Sequence, residues 1–89
     1  MIIKTEYEFV NTDQLISFWF VVDYNLRQIQ LRGIPANSSI YTLYSVGQYQ
    51  EDTCGDKLAE EINECLFECK SSWFDACHAL ENAVGRLRF

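Results

Sequence analysis

The chain has 89 residues, of which 48% are apolar and 15% aromatic, and it carries a formal net charge of −6. That length holds a single α+β-sized domain, 1–89, near the small end of what buries a sufficient core without metals or disulfides, and the apolar share excludes a disordered chain. The charge argues against direct binding to nucleic acid, whose phosphates it repels, and no apolar run approaches the roughly 18 residues of a membrane span.

The first half has the period of strands. Ile3, Thr5, Tyr7 and Phe9 alternate with Lys4, Glu6 and Glu8, the pattern of a strand with one wet face, until Asn11, Thr12 and Asp13 interrupt it. Ile16 to Val22 is almost wholly β-branched and aromatic, which predicts a strand covered on both faces near the sheet centre. Asp23, Tyr24 and Asn25 supply turn chemistry ahead of a more exposed strand from Leu26 to Leu31. Gly33 to Ser38, with the chain's one proline, is a loop. From Ser39 to Gln48, alternation sends Ile40, Thr42, Tyr44 and Val46 to one face and Tyr41, Leu43 and Ser45 to the other. Four strands in an antiparallel meander are expected.

From Asp56 the period becomes helical. Leu58, Ile62, Cys65, Cys69, Trp73, Ala76, Leu80, Val84 and Leu87 recur at steps of three and four. One helix over this stretch would run about 45 Å, against about 30 Å for the strands, so two helices with a break near Ser71 fit the sheet better. Asp56 opens the first and Lys70 closes it. Ser72 and Asp75 resemble a capping box opening the second, which ends in Arg86 and Arg88. The expected fold is α+β: a four-stranded antiparallel sheet in ββββαα order with two C-terminal helices packed on one face. The unbroken stripe leaves one alternative, a long helix whose excess length is buried in a homodimer.

The four cysteines (Cys54, Cys65, Cys69, Cys77) come without the basic start, apolar middle and cleavage site of an export signal, so a cytoplasmic protein with reduced, buried thiols is expected. A metal site is disfavoured because neither Cys-x-x-Cys nor His-x-x-x-His occurs, and Cys77 and His78 diverge on a helix. His78 is the one candidate base for a cysteine nucleophile, and no phosphate loop, nucleophile elbow or metal-hydrolase motif is present. No enzyme, no cofactor and no metal are expected.

What remains is the placement of charge. From Glu51 to Glu68 lie seven acids and one base, Lys57, so this stretch carries the entire net charge. On a helix, Glu60, Glu61, Glu64, Glu68 and Asp75 fall within about a third of the circumference, opposite the apolar stripe. Asp56, Glu60 and Glu61 suit the positive end of the helix. Glu64 and Glu68 do not, and the like-charge pairs at i,i+4 cost a few tenths of a kcal/mol each. Glu51 and Asp52 extend the field from the preceding loop, and Tyr49 is an aromatic anchor beside it.

In composition and architecture the chain is similar to the small acidic inhibitors that phages and mobile elements direct against host nucleases, restriction systems and CRISPR complexes, and to immunity-type inhibitors. The similarity implies a protein partner with a basic, nucleic-acid-handling surface, and it assigns no residue. Two other classes fit the sequence less well: a self-assembling subunit using Trp73 to Leu87, and a metal or redox module using Cys65, Cys69 and Cys77.

Overall fold

The computed structural model describes residues 1–87; Arg88 and Phe89, expected at the end of the second helix, lie outside the described residues. In chain order the elements are β1 (Ile2–Lys4), β2 (Phe9–Asn11), β3 (Leu15–Asp23), β4 (Gln28–Pro35), β5 (Thr42–Gln48), α1 (Gly55–Glu68), β6 (Trp73–Asp75) and α2 (Ala76–Leu87). The fold is α+β with two helices, as expected. The expected four-stranded sheet is replaced by two three-stranded ones, ordered β2-β1-β6 and β3-β4-β5.

The strands β3, β4 and β5 form the antiparallel meander. Asp23 pairs with Gln28 across the first turn, where the Asp23 carboxylate accepts the Leu26 N–H at 3.1 Å and Arg27 adopts a φ of 48°. Two expectations about this sheet are corrected. The Ile16 to Val22 segment, read as central, is the edge strand β3, and the strand read as more exposed is the centre, with Ile29 and Leu31 fully buried. Apart from Ile16, which is exposed, the apolar residues of β3 find cover without a second strand. The helix α1 lies against it, and on the outer sheet face the Arg32 guanidinium stacks between Trp19 (5.6 Å to the ring centroid) and Tyr41 (3.7 Å). The predicted loop at Gly33 is strand as far as Pro35. There the glycine lets Leu15 pack close to the backbone, a Cβ at Gly33 standing 2.9 Å from Leu15 Cδ1.

The first predicted strand is a hairpin. The Thr5 N–H and hydroxyl both donate to the Glu8 carbonyl at 2.9 Å, which folds Ile2–Lys4 back onto Phe9–Asn11 and leaves Tyr7 and Phe9 exposed. The third member, β6, runs parallel to β1 with Ile3 opposite Phe74. It occupies the gap between the helices. The break near Ser71 is therefore present, and the single-helix alternative is excluded. Trp73 keeps the three-and-four spacing of the stripe, yet it is part exposed against Phe9, while Phe74, off the stripe, is the buried residue. Lys70 lies beyond the end of α1, whose last turn closes through the Cys69 N–H on the Leu66 carbonyl. The cap of α2 is Asp75 and not Ser72, its carboxylate accepting the His78 N–H at 3.0 Å.

One apolar cluster joins these layers. The buried face of α1, Leu58, Ala59, Ile62 and Leu66, meets Phe20, Ile29, Leu31 and Val46 of the meander, and Ala76, Leu80 and Ala83 of α2 complete it. Full burial of a side chain such as Leu58 or Ile62 contributes about 1.5–3 kcal/mol. Ile3, Val10 and Phe74 bring the short sheet into the same core.

Candidate protein-interaction surface

The sequence places its candidate residues on the wet side of α1 and the loop before it. The helix sets its buried face, centred on Leu58, Ala59, Ile62 and Leu66, against the meander, so the 3.6-residue period turns Glu60, Glu64 and Glu68 to solvent. All three are exposed, and none has an ion-pair partner among the described residues. Glu61 differs. It is half-buried and accepts from Arg86 Nε at 3.0 Å and Nη2 at 2.9 Å, tying α1 to α2. That contact pushes the Arg86 pKa above its ordinary value, the hydrogen bond to Glu61 being the leading cause.

The loop acids separate in the same way. Glu51 is exposed and paired with Arg27, whereas Asp52 is exposed and, among the described residues, accepts only from the Thr53 hydroxyl, at 3.3 Å. Asp56, in the first turn of α1, accepts the Tyr24 hydroxyl, which raises the Tyr24 pKa above 10.0. Lys57 is exposed and lines a shallow groove of about 250 Å³ with Glu60, Glu61, Glu64 and Leu87. The uncompensated acids are therefore Glu60, Glu64 and Glu68, with Asp52 apart from them. Asp75, placed on the ridge by periodicity, lies in β6, where its carboxylate caps α2 and stands 3.8 Å from Lys4 Nζ.

Tyr49 sits differently from an exposed anchor. It is half-buried, and its ring lies so close to the start of α1 that a Cβ on Gly55 would meet the Tyr49 hydroxyl oxygen at 2.5 Å and Cζ at 2.7 Å. Much of its surface is spent inside the fold. The aromatic residue beside the ridge is Phe67, which is 87% exposed and which the sequence reading passed over. Its trace was visible: Phe67 is an apolar residue roughly 170° round the helix from the stripe, three residues from Glu64, where folding alone favours a polar side chain.

Asn63 is the second residue missed. Its side-chain oxygen accepts the Phe20 N–H at 2.8 Å, and its amide nitrogen donates to the Phe20 carbonyl at 3.0 Å. An amide at this point of α1 covers one residue of the open β3 edge. Between that edge and α1 lies a largely apolar groove of about 520 Å³, walled by Phe18, Trp19, Leu66 and Phe67.

The cysteines are all free: Cys65, Cys69 and Cys77 are half-buried and Cys54 is exposed, so the expectation of four buried thiols is corrected at Cys54, which lies in the turn just ahead of α1. Cys77 donates to the Val46 carbonyl at 3.4 Å, and burial, reinforced by Asp75, pushes its thiol above the ordinary value of 9.0. A thiol held protonated is a poor nucleophile. Among the described residues, no three His, Cys, Asp or Glu side chains converge in a way that holds a metal ion, and no helix is long and apolar enough to cross a membrane.

Arg27 and Arg86 are ion-paired, and Arg32 is stacked between aromatic rings. They form no continuous track. No protein-family model matches the chain, and no curated protein and no solved structure matches it significantly.

Proposed function

We propose that this protein is a non-catalytic inhibitor that docks the outer face of α1 on a basic, nucleic-acid-handling surface of another protein and blocks it. A nuclease, or a restriction or CRISPR-type complex, presents a surface of that kind. The observation that carries this reading is the contrast along one helix: Glu61 is neutralised by Arg86, while Glu60, Glu64 and Glu68 stand exposed and unpaired beside an 87% exposed phenylalanine. Glu60 suits the positive end of the helix, but folding gains nothing from Glu64 and Glu68. The two like-charge pairs at i,i+4 cost a few tenths of a kcal/mol each, and Phe67 joins Phe18, Trp19 and Leu66 in one largely apolar groove, the contiguous kind of exposed apolar surface that marks binding sites.

The division of labour follows from general interface physics. Concentrated negative charge speeds encounter with a basic partner and makes binding salt-sensitive, while affinity comes from a desolvated anchor. Phe67 suits the anchor role and Glu60, Glu64 and Glu68 the steering role, with Glu51 and Asp52 at the margin.

The test is to immobilise the wild type and the triple variant Glu60→Lys, Glu64→Lys, Glu68→Lys, with circular dichroism confirming that both are folded, and to compare the bacterial proteins retained at low and at moderate salt. The expected result is retention of nucleic-acid-binding proteins by the wild type, weakened by salt and lost in the triple variant. An identical set with identical salt dependence would sink the reading.

A further inference from the structure

We propose that the partner is held by strand addition: an extended segment of the partner pairs with the free edge of β3 at Phe18 and places a large apolar side chain in the groove between β3 and α1. A lysine or arginine two residues along the same segment reaches the carboxylates of α1. This inference rests on the interaction reading above and specifies how the partner is gripped.

The edge of β3 is built to receive a strand. β3 has one neighbour, β4, so alternate backbone groups face outward. At Phe20 both outward groups are taken by the Asn63 amide, one accepted and one donated hydrogen bond at 2.8 Å and 3.0 Å. That is the two-point contact a neighbouring strand residue makes, supplied here by a side chain. Strand geometry repeats every two residues, so the Phe18 N–H and carbonyl point to the same side as those of Phe20. Among the described residues no hydrogen bond takes them up. The pairing stops where the groove begins.

The groove supplies the side-chain pocket that such a segment requires. Its walls are Phe18 and Trp19 on the strand side and Leu66 and Phe67 on the helix side, and its volume is about 520 Å³. Main-chain pairing at an exposed edge gives affinity, and a pocket for alternate side chains gives specificity. Phe67, which contributes nothing to the core, forms a wall of this pocket.

Charge selects the segment. On α1, Glu60 lies three residues from Asn63 and Glu64 three from Phe67, so the unpaired carboxylates stand next to the helix-side lining of the groove without forming part of it. Residues two apart in a strand share a face, so an apolar residue in the groove puts its i±2 neighbours on the side of α1. A cationic residue there meets the ridge, and an acidic one is repelled. The segment recognised is therefore extended, with a large apolar residue flanked at i±2 by lysine or arginine.

The probe is the blocked peptide Thr-Lys-Thr-Leu-Thr-Lys-Thr, titrated into isotope-labelled protein and followed by NMR. The Phe18 amide is expected to shift and to gain protection from hydrogen exchange. Phe67→Ala, a change at an exposed side chain, is expected to weaken the peptide about tenfold. Of two N-methylated peptides, one methylated on Leu and both Lys and the other on alternate Thr, one loses binding and the other keeps it, because only one set of N–H groups faces β3. A Phe18 amide unmoved up to about 1 mM peptide, the weak end of specific binding, overturns the proposal. So does equal binding by the two methylated peptides. With the partner protein itself, normal binding by Phe67→Ala but not by the triple lysine variant overturns strand addition and leaves the ridge standing; a partner indifferent to the triple variant removes both.

Discussion

At Cys77 a single side chain links helix packing to pH. Its thiol donates to the Val46 carbonyl on β5, and burial raises its pKa above 9.0, with Asp75 adding in the same direction. A folded pKa above the unfolded one means that the protonated thiol is the form the fold prefers. The stability it contributes is then fully present below pH 9.0 and is lost as the pH rises through the folded value. Urea unfolding from pH 7 to 11 is expected to show the wild type losing stability more steeply above 9.0 than Cys77→Ala. The difference between the two proteins is the quantity to read, because the exposed Tyr7 and Tyr24, each raised above 10.0 by a neighbouring carboxylate, titrate in the same region in both. Equal slopes would show that the thiol environment does not differ between the folded and unfolded chains. The same geometry orders the thiols by reactivity, with exposed Cys54 ahead of Cys77.

Among the elements, α1 is fixed at its N-terminus by close approach. Gly55 begins the helix directly against Tyr49 and Val22, and a Cβ there would lie 2.7 Å from Tyr49 Cζ and 2.9 Å from Val22 Cγ1. Replacing glycine by alanine in a helix gains about 0.5–1 kcal/mol in propensity at most, whereas overpacking costs about 1–3 kcal/mol. Gly55→Ala is therefore expected to lower the urea midpoint, and a variant as stable as the wild type would mean that Tyr49 moves aside freely. The helices were legible because their period holds over several turns and because length matching demanded a break. The short sheet was not legible, for two physical reasons. Trp73–Asp75 is too short to display a period of two and happens to keep the helical phase, and its pairing with β1 joins residues about 70 positions apart. The Thr5 turn hid likewise, since Ile3, Thr5, Tyr7 and Phe9 alternate whether the chain runs on or folds back. The exchange of edge and centre between β3 and β4 has another origin: residue type reports burial, and β3 is half-buried by α1 and by the Arg32 stack without a second strand. Of the candidate surface, the acids were legible from spacing alone. Phe67 and Asn63 escaped because an amphipathic reading attends to the apolar face, and both lie off it.

For the whole molecule, charge and stability pull against each other. The net charge of −6 is carried by the stretch from Glu51 to Glu68, and within it Glu64 stands between Glu60 and Glu68 at i,i+4 spacing to both. Glu64→Lys converts two repulsions into two attractions, so it is expected to raise stability by about 0.5–1 kcal/mol at low salt, with the gain fading as salt is added. The same variant is expected to bind the partner less well, the usual exchange when a surface is kept for function. Urea midpoints at two salt concentrations check the first half; a neutral or destabilising result at low salt would mean that the acids are too well solvated to repel one another. The topology also sets an order of assembly. The meander closes through short turns between β3, β4 and β5, but β1 sits between β2 and β6, and β6 follows α1. Closing so long a loop carries an entropic cost before any contact repays it. During synthesis from the N-terminus, Ile2–Lys4 is made well before its parallel neighbour, so β1 waits for its final cover until Trp73–Asp75 has emerged.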